Sequence, residues 1–355
     1  MTKRSFSSTT RARNIPITTH DNPIGTRDFM KIAITFNALP QGKRVEEVAE
    51  YDDISTIEAI EREIKALGHK TALIEAEADA MRKLMRERPD FVFNVAEGVG
   101  RGARESQIPM MLDMLGIPYT GSDALTLGIT LDKQRTQEIL SYHRVPTPRF
   151  QIFRTGEEKL ARRMRFPLFV KPIGEGSSIG ISKNSLVKNE KELRKVACGI
   201  ISKHGQAAIA EKFIEGREFT VPLLGNPPKV LPLVEIDFSH LPTDAPRFDC
   251  YDVKWVYEDR TICPPEIDKR TLRRIEKITR KAFEVLGCRD ICRMDVRVDD
   301  NGMPYIIDVN ALPGLIPEPE EHSRFPASCY SLGMNYGDII REILHCAFRR
   351  HGIDA

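Results

Sequence analysis

From Met30 to Gly116 the chain alternates short apolar runs with amphipathic stretches, and that rhythm constrains the fold more than any other feature. KIAITF (31–36), TALIEA (71–76) and FVFNVAE (91–97) read as strands, since each is a short apolar run bounded by turn or charge signals. Between them, YDDISTIEAIEREIKALGHK (51–70) carries apolar residues at helical spacing and meets a stop at Gly68. ADAMRKLMRERPD (78–90) and ESQIPMMLDMLG (105–116) read as two further helices, the second stopped by Gly116. Strand, helix, strand in repetition predicts a small, mostly parallel sheet covered by helices.

Beyond Gly116 the rhythm changes. Turn residues cluster in GIPYTGSDALTLG (116–128), and LDKQRTQEILSYHR (131–144) is helical until VPTP (145–148) breaks it. FQIF and PLFVKP are strands, followed by a glycine-rich loop, a charged helix near 189–204 and the strand AAIAEKF (207–213). The last third predicts strands EFTVPLLG and KVLPLVEID, a polar loop, a helix over 267–286 and the strands ICRMDVRV and PYIIDVN. A long loop (311–335) precedes a closing helix, GDIIREILHCAFRR.

Composition removes several function classes. Lys+Arg 53 against Asp+Glu 51 leaves a formal charge of +2, too little for a nucleic-acid or anionic-membrane footprint. No apolar run approaches the length of a membrane span, and the seven cysteines are scattered without a CxxC pair. The expectation is a cytoplasmic protein with reduced thiols that acts on small molecules. Residues 1–29 are rich in Ser, Thr and Arg; they are read as a disordered or non-native extension, with a transit peptide as the alternative.

Three segments carry chemistry. In PLFVKPIGEGSSIGISK (167–183) a strand delivers Lys171 to a loop whose glycines let backbone N–H groups approach phosphate oxygens, with Ser177 and Ser178 as added donors. Taken alone, the loop could also be a plain turn. In RMDVRVDDNGMPYIIDVN (293–310) two strands flank an Asn-Gly turn. Period two puts Arg293 with Asp295, and Asp308 with Asn310, on shared faces. Hard oxygen ligands of that kind suit magnesium held with phosphates; a solvated polar face is the plainer alternative. In IAEKFIEGREFTV (209–221), Glu211 and Glu218 could present carboxylates to a sugar or an amine.

In this order and spacing, together with IPYTGSDALTLGITLDK (117–133), DVKW before TICPPEI, and ALPGL after Asn310, the three segments resemble the D-alanine–D-alanine ligase family of ATP-grasp enzymes across roughly 31–349. The resemblance implies an α/β, three-domain ATP-grasp fold: an N-terminal parallel α/β domain (30–121), and central (122–210) and C-terminal (211–355) α+β domains clamping ATP. It implies that ATP activates a carboxylate as an acyl phosphate, which an amine attacks, with release of ADP and phosphate. Lys133 and Lys171 match phosphate-binding lysines, and Glu175, Gly176, Ser177 and Ser178 match the mobile lid. Glu211, Lys212 and Ile214 match the adenine segment, Glu218 the ribose carboxylate, Lys254 a γ-phosphate lysine and Arg293 the arginine that stabilises the acyl phosphate. Asp295, Asp308 and Asn310 match ligands for one or two Mg²⁺ ions, with Mn²⁺ as a substitute. A homodimer is implied by resemblance only.

The departures concern the substrates. The family has Glu where Asp308 stands, and tyrosine where Trp255 stands. Its glycine-rich GGxSxE segment is replaced by NALPQGKRVEEVAEYDD (37–53), and its HGxxGEDG by NVAEGVGRGARES (94–106). The loop after ALPGL gains IPEPEEHS, ending at Ser323. Glu97, Arg104, Trp255 and Ser323 are the candidate substrate contacts, with Glu105 and His322 behind them. The expected function is a carboxylate–amine ligase acting on amino acids or peptide-like acids. The alternatives are D-alanine–D-alanine ligase proper, an acyl-phosphate enzyme with a carrier-protein or sugar acceptor, and a nucleotide-binding protein without turnover.

Overall fold

Five of the six residues of β1 (Lys31–Phe36) are buried, and this strand is the middle of a parallel three-stranded sheet between β2 (Lys70–Glu75) and β3 (Phe91–Asn94). The computed structural model describes residues 29–40, 49–242, 245–249, 253, 260–318 and 323–354, so all of the expected extension except Phe29 lies outside them. Helix α1 (Ile54–Ala66) starts where the Asp53 side chain accepts the Ser55 N–H. Its Ile57, Ile60 and Ile64, at helical spacing, are buried. Helices α2 (Ala80–Glu87) and α3 (Gln107–Leu115) follow, α3 ending on Gly116 in the left-handed region.

The structure refines several expected boundaries. Strand β3 stops at Asn94 because the Asn94 side-chain oxygen accepts the Ala96 N–H, 3.2 Å away, and turns the chain. The stretch read as turns holds helix α4 (Ala124–Leu131), capped by Asp123 on the Thr126 N–H. Its sequence, ALTLGITL, is apolar nearly all round and offers no amphipathic period. Asp132 caps α5 (Lys133–Tyr142) in the same way, accepting from Arg135 N–H. This arrangement sets Lys133 at the first turn of a helix.

A second, antiparallel sheet has the order β4 (Phe150–Phe153), β7 (Ala208–Lys212), β5 (Leu168–Pro172), β6 (Leu186–Val187). Helix α6 (Glu190–His204) packs Leu193, Ala197 and Ile200 against Leu168 and Val170. A third sheet runs β11 (Arg260–Ile262), β10 (Val234–Asp237), β8 (Arg217–Leu224), β12 (Ile291–Val298), β13 (Pro304–Asn310), with β9 (Lys229–Val230) added on β8. KVLPLVEID, expected as one strand, divides around Pro232, which has no N–H to offer a ladder. Helix α7 (Lys269–Leu286) covers this sheet through Ile275, Ala282, Phe283 and Leu286. Leu127 and Leu140 of α4 and α5 join the same core.

The long loop expected over 311–335 contains helix α8 (Arg324–Tyr330), and α9 (Tyr336–Arg350) then returns to the first sheet. Ile339, Ile340, Ile343 and Phe348 share one core with Ile57, Ile60 and Phe91, and the Phe348 and Phe91 rings meet edge to face at 4.7 Å. Each fully buried side chain of that size contributes roughly 1.5–3 kcal/mol. No described helix is long and apolar enough to cross a membrane.

One buried carboxylate fastens these parts together. Asp290, with no solvent exposure, accepts from the Gly121 N–H at 2.8 Å, from Asn226 at 2.6 Å and from the Arg350 guanidinium at 3.0 and 2.7 Å. Arg350 also donates to the Tyr119 carbonyl at 2.8 Å. Asp290→Ala leaves the Arg350 guanidinium and the Gly121 and Asn226 donors without their shared buried acceptor and is expected to lower stability by about 3–5 kcal/mol. Asp290→Asn, which tolerates the left-handed φ of 61° there, should cost less; the midpoints of urea unfolding compare the two.

Candidate functional site

The cleft lies between the second and third sheets and holds roughly 760 Å³ of empty space open to solvent. Its floor is a row of polar side chains generated by strand register. Across β12 and β13, Arg293 stands opposite Asn310 and Asp295 opposite Asp308. Across β12 and β8, Asp295 stands opposite Thr220 and Arg297 opposite Glu218. Directly opposed residues bring their side chains together on one face. The Thr220 hydroxyl donates to Asp295 at 2.7 Å, and an Arg293 Nη lies 3.3 Å from the other Asp295 oxygen. The Arg293 Nε–H is buried without a partner among the described residues, which leaves a donor for an incoming anion.

A register shift between Asp295 and Val296 marks a bulge at Ile307. The Ile307 carbonyl accepts from Lys171 Nζ at 2.8 Å. Lys171 also pairs with Glu211 at 3.2 Å, and both side chains are at most 5% exposed. Burial opposes charge on Lys171, but Glu211 and Asp308 outweigh it and raise its pKa. Lys133 Nζ lies 3.5 Å from Asp308 and donates to the Glu175 carbonyl at 2.6 Å. Burial pushes the Asp308 carboxyl up, yet Lys133, Lys171 and Arg293 together hold it below its usual range. Asp295 and Asp308 are hard oxygen donors facing each other, with Asn310 beside them. One or two carboxylates shared with phosphates are what Mg²⁺ uses, so the donor chemistry fits. Among the described residues no three His, Cys, Asp or Glu are gathered into an all-protein cage.

The cleft's other end is apolar. Phe169, Phe213 and Phe248 line it with Pro148 and Ile181; the Phe169 ring lies 4.9 Å from Phe248 and 6.2 Å from Phe213. A flat heterocycle fits such a slot. Lys212 and Ile214 line it too, whereas the Glu211 carboxylate is taken up by Lys171 and by a short hydrogen bond from Gln137. Arg297 binds Glu218 at 2.5 Å, the Ile214 carbonyl at 2.6 Å and the Gly216 carbonyl at 3.0 Å, and its guanidinium lies over the Phe213 ring. The three phenylalanines and Arg297 are additions to the expected set. Period two places Phe169 on the face of Lys171, Phe213 on that of Glu211 and Arg297 on that of Asp295, whereas Phe248, outside any strand, carries no such signal.

The glycine-rich loop forms the roof: Glu175, Gly176, Ser177 and Ser178 all line the cleft. Beyond it lie the substrate candidates. Arg104 faces the loop, donating to the Gly174 carbonyl at 3.0 Å and pairing closely with Glu50. The Ser323 hydroxyl closes its own loop, donating to the Gly314 carbonyl at 2.8 Å and accepting from the Ile316 N–H at 3.2 Å. Lys254, Trp255 and His322 lie outside the described residues. Glu97 and Glu105 have no ion-pair or hydrogen-bond partner for their carboxylates among the described residues. Burial, reinforced by Glu50, raises Glu97 well above its usual range and pushes Glu105 up to about 8. Burial with Asp53 nearby pushes Asp52 up to about 7.

A carboxyl whose pKa is raised by folding binds a proton that the unfolded chain has released. Its contribution is therefore present below the unfolded pKa and lost as pH rises through the folded one. The ligand-free protein is expected to lose thermal stability between pH 5 and 8, and Glu105→Gln should flatten that slope; melting temperatures across the range measure both.

The family model described as D-ala D-ala ligase C-terminus matches residues 139–345. The chain is 32% identical over 314 residues to the D-alanine–D-alanine ligase of Pelotomaculum thermopropionicum, covering 84% of this chain and 93% of that one. It is 34% identical to the uncharacterized protein y4sG of Sinorhizobium fredii, over 81% of this chain and 86% of the other. The fold is shared with the crystal structure of D-alanine–D-alanine ligase from Bacillus anthracis complexed with ATP, at a TM-score of 0.71 and 23% identity, covering 91% of this chain and 99% of that one. The chain belongs to the D-alanine–D-alanine ligase family of ATP-grasp enzymes and is an ATP-dependent carboxylate–amine ligase.

Proposed function

We propose that this ligase activates the carboxylate of an amino acid, or of a small acid bearing an ammonium group, and couples it to a second amine. The observation that carries the reading is that Arg293, Asp295 and Asp308 line one cleft with Lys133, Lys171 and the glycine-rich loop, with Asn310 paired to Arg293 across the hairpin. Adenine would occupy the phenylalanine slot, with the ribose at Glu218. Lys133 and Lys171 would neutralise phosphate charge, and Mg²⁺ held by Asp295, Asp308 and Asn310 would add to that neutralisation. A substrate carboxylate oxygen attacks the γ-phosphorus, and ADP leaves with the electron pair of the broken bond. The amine then attacks the acyl carbon, phosphate departs, and the nitrogen loses a proton to give the amide. Arg293, with its unpartnered Nε–H, would hold the developing negative charge at both stages.

The substrate ammonium would face Glu97 and Glu105. A bound cation restores the ionised form that burial disfavours. The rewritten segments 37–53 and 94–106 favour a pair other than two D-alanines.

Phosphate release from Mg·ATP, measured over a grid of paired L- and D-amino acids with product masses, tests the reading. Release with D-alanine alone would mean that the pair is unchanged. Release with another pair would name the substrates, and ATP binding without turnover on any pair would count against a ligase of amino acids.

Arg293→Ala is expected to lower kcat by about 10²–10³-fold, the size seen when one preorganised transition-state donor is removed. Lys171→Ala alone would strand Glu211 in the interior, so its loss is better read in the double variant with Glu211→Gln. Asp308→Glu separates two geometries: retained activity points to the family's usual metal arrangement, and collapse to a pocket built for the shorter acid.

A further inference from the structure

Glu50 follows a segment that no motif marks, yet its carboxylate reaches the phosphate loop from the other side of the cleft. One oxygen accepts the Gly176 N–H at 2.6 Å, and the other forms a close ion pair with Arg104. The same guanidinium donates to the Gly174 carbonyl at 3.0 Å and lies 3.6 Å from the Glu175 carboxylate. The two side chains are only 7% and 9% exposed. We propose that Glu50 and Arg104 are positioning residues, a clasp that ties closure of the glycine-rich lid to the unit proposed to hold the substrate.

The lid needs outside support. Ser177 and Ser178 sit at φ 44° and 61°, a left-handed conformation costing a non-glycine residue about 1–2 kcal/mol. Such strain persists where the surroundings over-determine it. From the lid's own unit, Gln206 binds the Gly174 N–H at 2.7 Å and the Glu175 carboxylate at 2.5 Å. The Ile179 N–H donates to the Gly176 carbonyl at 2.9 Å, and the clasp supplies the ties at the Gly174 carbonyl and the Gly176 N–H. It is also tight: a Cβ at Gly176 would stand 2.3 Å from the Glu50 carboxylate, so a side chain there would displace the Glu50 tip.

Arginine is required by geometry as well as by charge. Its planar fork serves a carboxylate and a carbonyl at once, which a lysine ammonium on a flexible stem does not reproduce. Glu50 and Arg104 are each adjacent in sequence to the proposed substrate side, through Tyr51 and Glu105. The Tyr51 hydroxyl donates to the Gly98 carbonyl at 3.2 Å, which anchors the residue after Glu50 to the turn following Glu97. A ligand that orders this turn and Glu105 would order the clasp, and through it the lid.

The proposal rests on the ligase reading for its purpose, but its test does not need turnover. Hydrogen–deuterium exchange of the 174–180 amides is measured in the full-length protein, without nucleotide and with saturating Mg·β,γ-imido-ATP. Glu50→Gln, Arg104→Ala and Arg104→Lys are each expected to speed lid exchange about tenfold or more, as a local opening free energy falls. Exchange of β3 and α9 should stay unchanged, and affinity for imido-ATP should fall about tenfold with it. Unchanged lid exchange in Arg104→Ala and Glu50→Gln would overturn the clasp. Wild-type behaviour of Arg104→Lys would overturn the geometric requirement and leave charge alone as the tie. If the wild-type protein failed to bind imido-ATP, the ligase reading would fall, while the nucleotide-free exchange would still decide the clasp.

Discussion

The site depends on the antiparallel register of β12 and β13. Because Asp295 is paired with Asp308 and Arg293 with Asn310, all four side chains rise from one patch of sheet. A slip of one residue on either strand would turn half of them into the apolar core beneath. The Asn301–Gly302 turn, with Gly302 at φ 67°, helps to set that register. The bulge at Ile307 has a second effect, since the carbonyl there is taken by Lys171 from the opposite sheet. The register therefore assembles the floor and also helps to hold the facing sheet in place.

Burial of charge organises the rest of the cleft. Lys171 and Glu211, and Arg297 and Glu218, are nearly solvent-free pairs. Such pairs add little net stability over apolar residues but are costly to break, so their value lies in fixing geometry. Gln137 holds Glu211 from below, and Arg297 holds the 214–216 carbonyls from the side. A nucleotide entering this cleft would meet groups already oriented, with little reorganisation left for the moment of reaction.

Most of the fold was legible in the sequence, and so was much of the candidate set that lines the cleft. ICRMDVRV and PYIIDVN occupy their expected residues, since two β-rich apolar runs flanking an Asn-Gly turn leave few choices. The glycine-rich loop and Lys171 line the cleft for similar reasons, being a local pattern at a strand end, whereas Lys133, which lines it too, is expected from the family resemblance alone. What escaped was non-local or without period. Helix α4 is apolar nearly all round, and α8 is only seven residues long inside a proline-bearing loop. The phenylalanine slot is shared by β5, the residue after β7 and Phe248, so no single segment displays it. Glu50 reaches Gly176 across 126 residues, a contact that spacing in the chain cannot announce.

The two ends of the cleft differ in how their charges balance, and that difference bears on the substrate. On the side proposed for the nucleotide, Lys171, Arg297 and Lys133 each have a carboxylate or carbonyl within reach. On the other side Arg104 is paired with Glu50, and among the described residues the half-buried Glu97 and the buried Glu105 remain as surplus acids. A protein can tolerate such groups by protonating them, which the raised pKa values describe. It can also leave their charge to be matched by a ligand. A substrate ammonium would do so, at the point where its attached carboxylate could reach toward Arg293 and the phosphates. Under the proposed function the surplus would act as a selection rule: acids without a cationic group would leave these two carboxyls unmatched, and would bind more weakly for that reason.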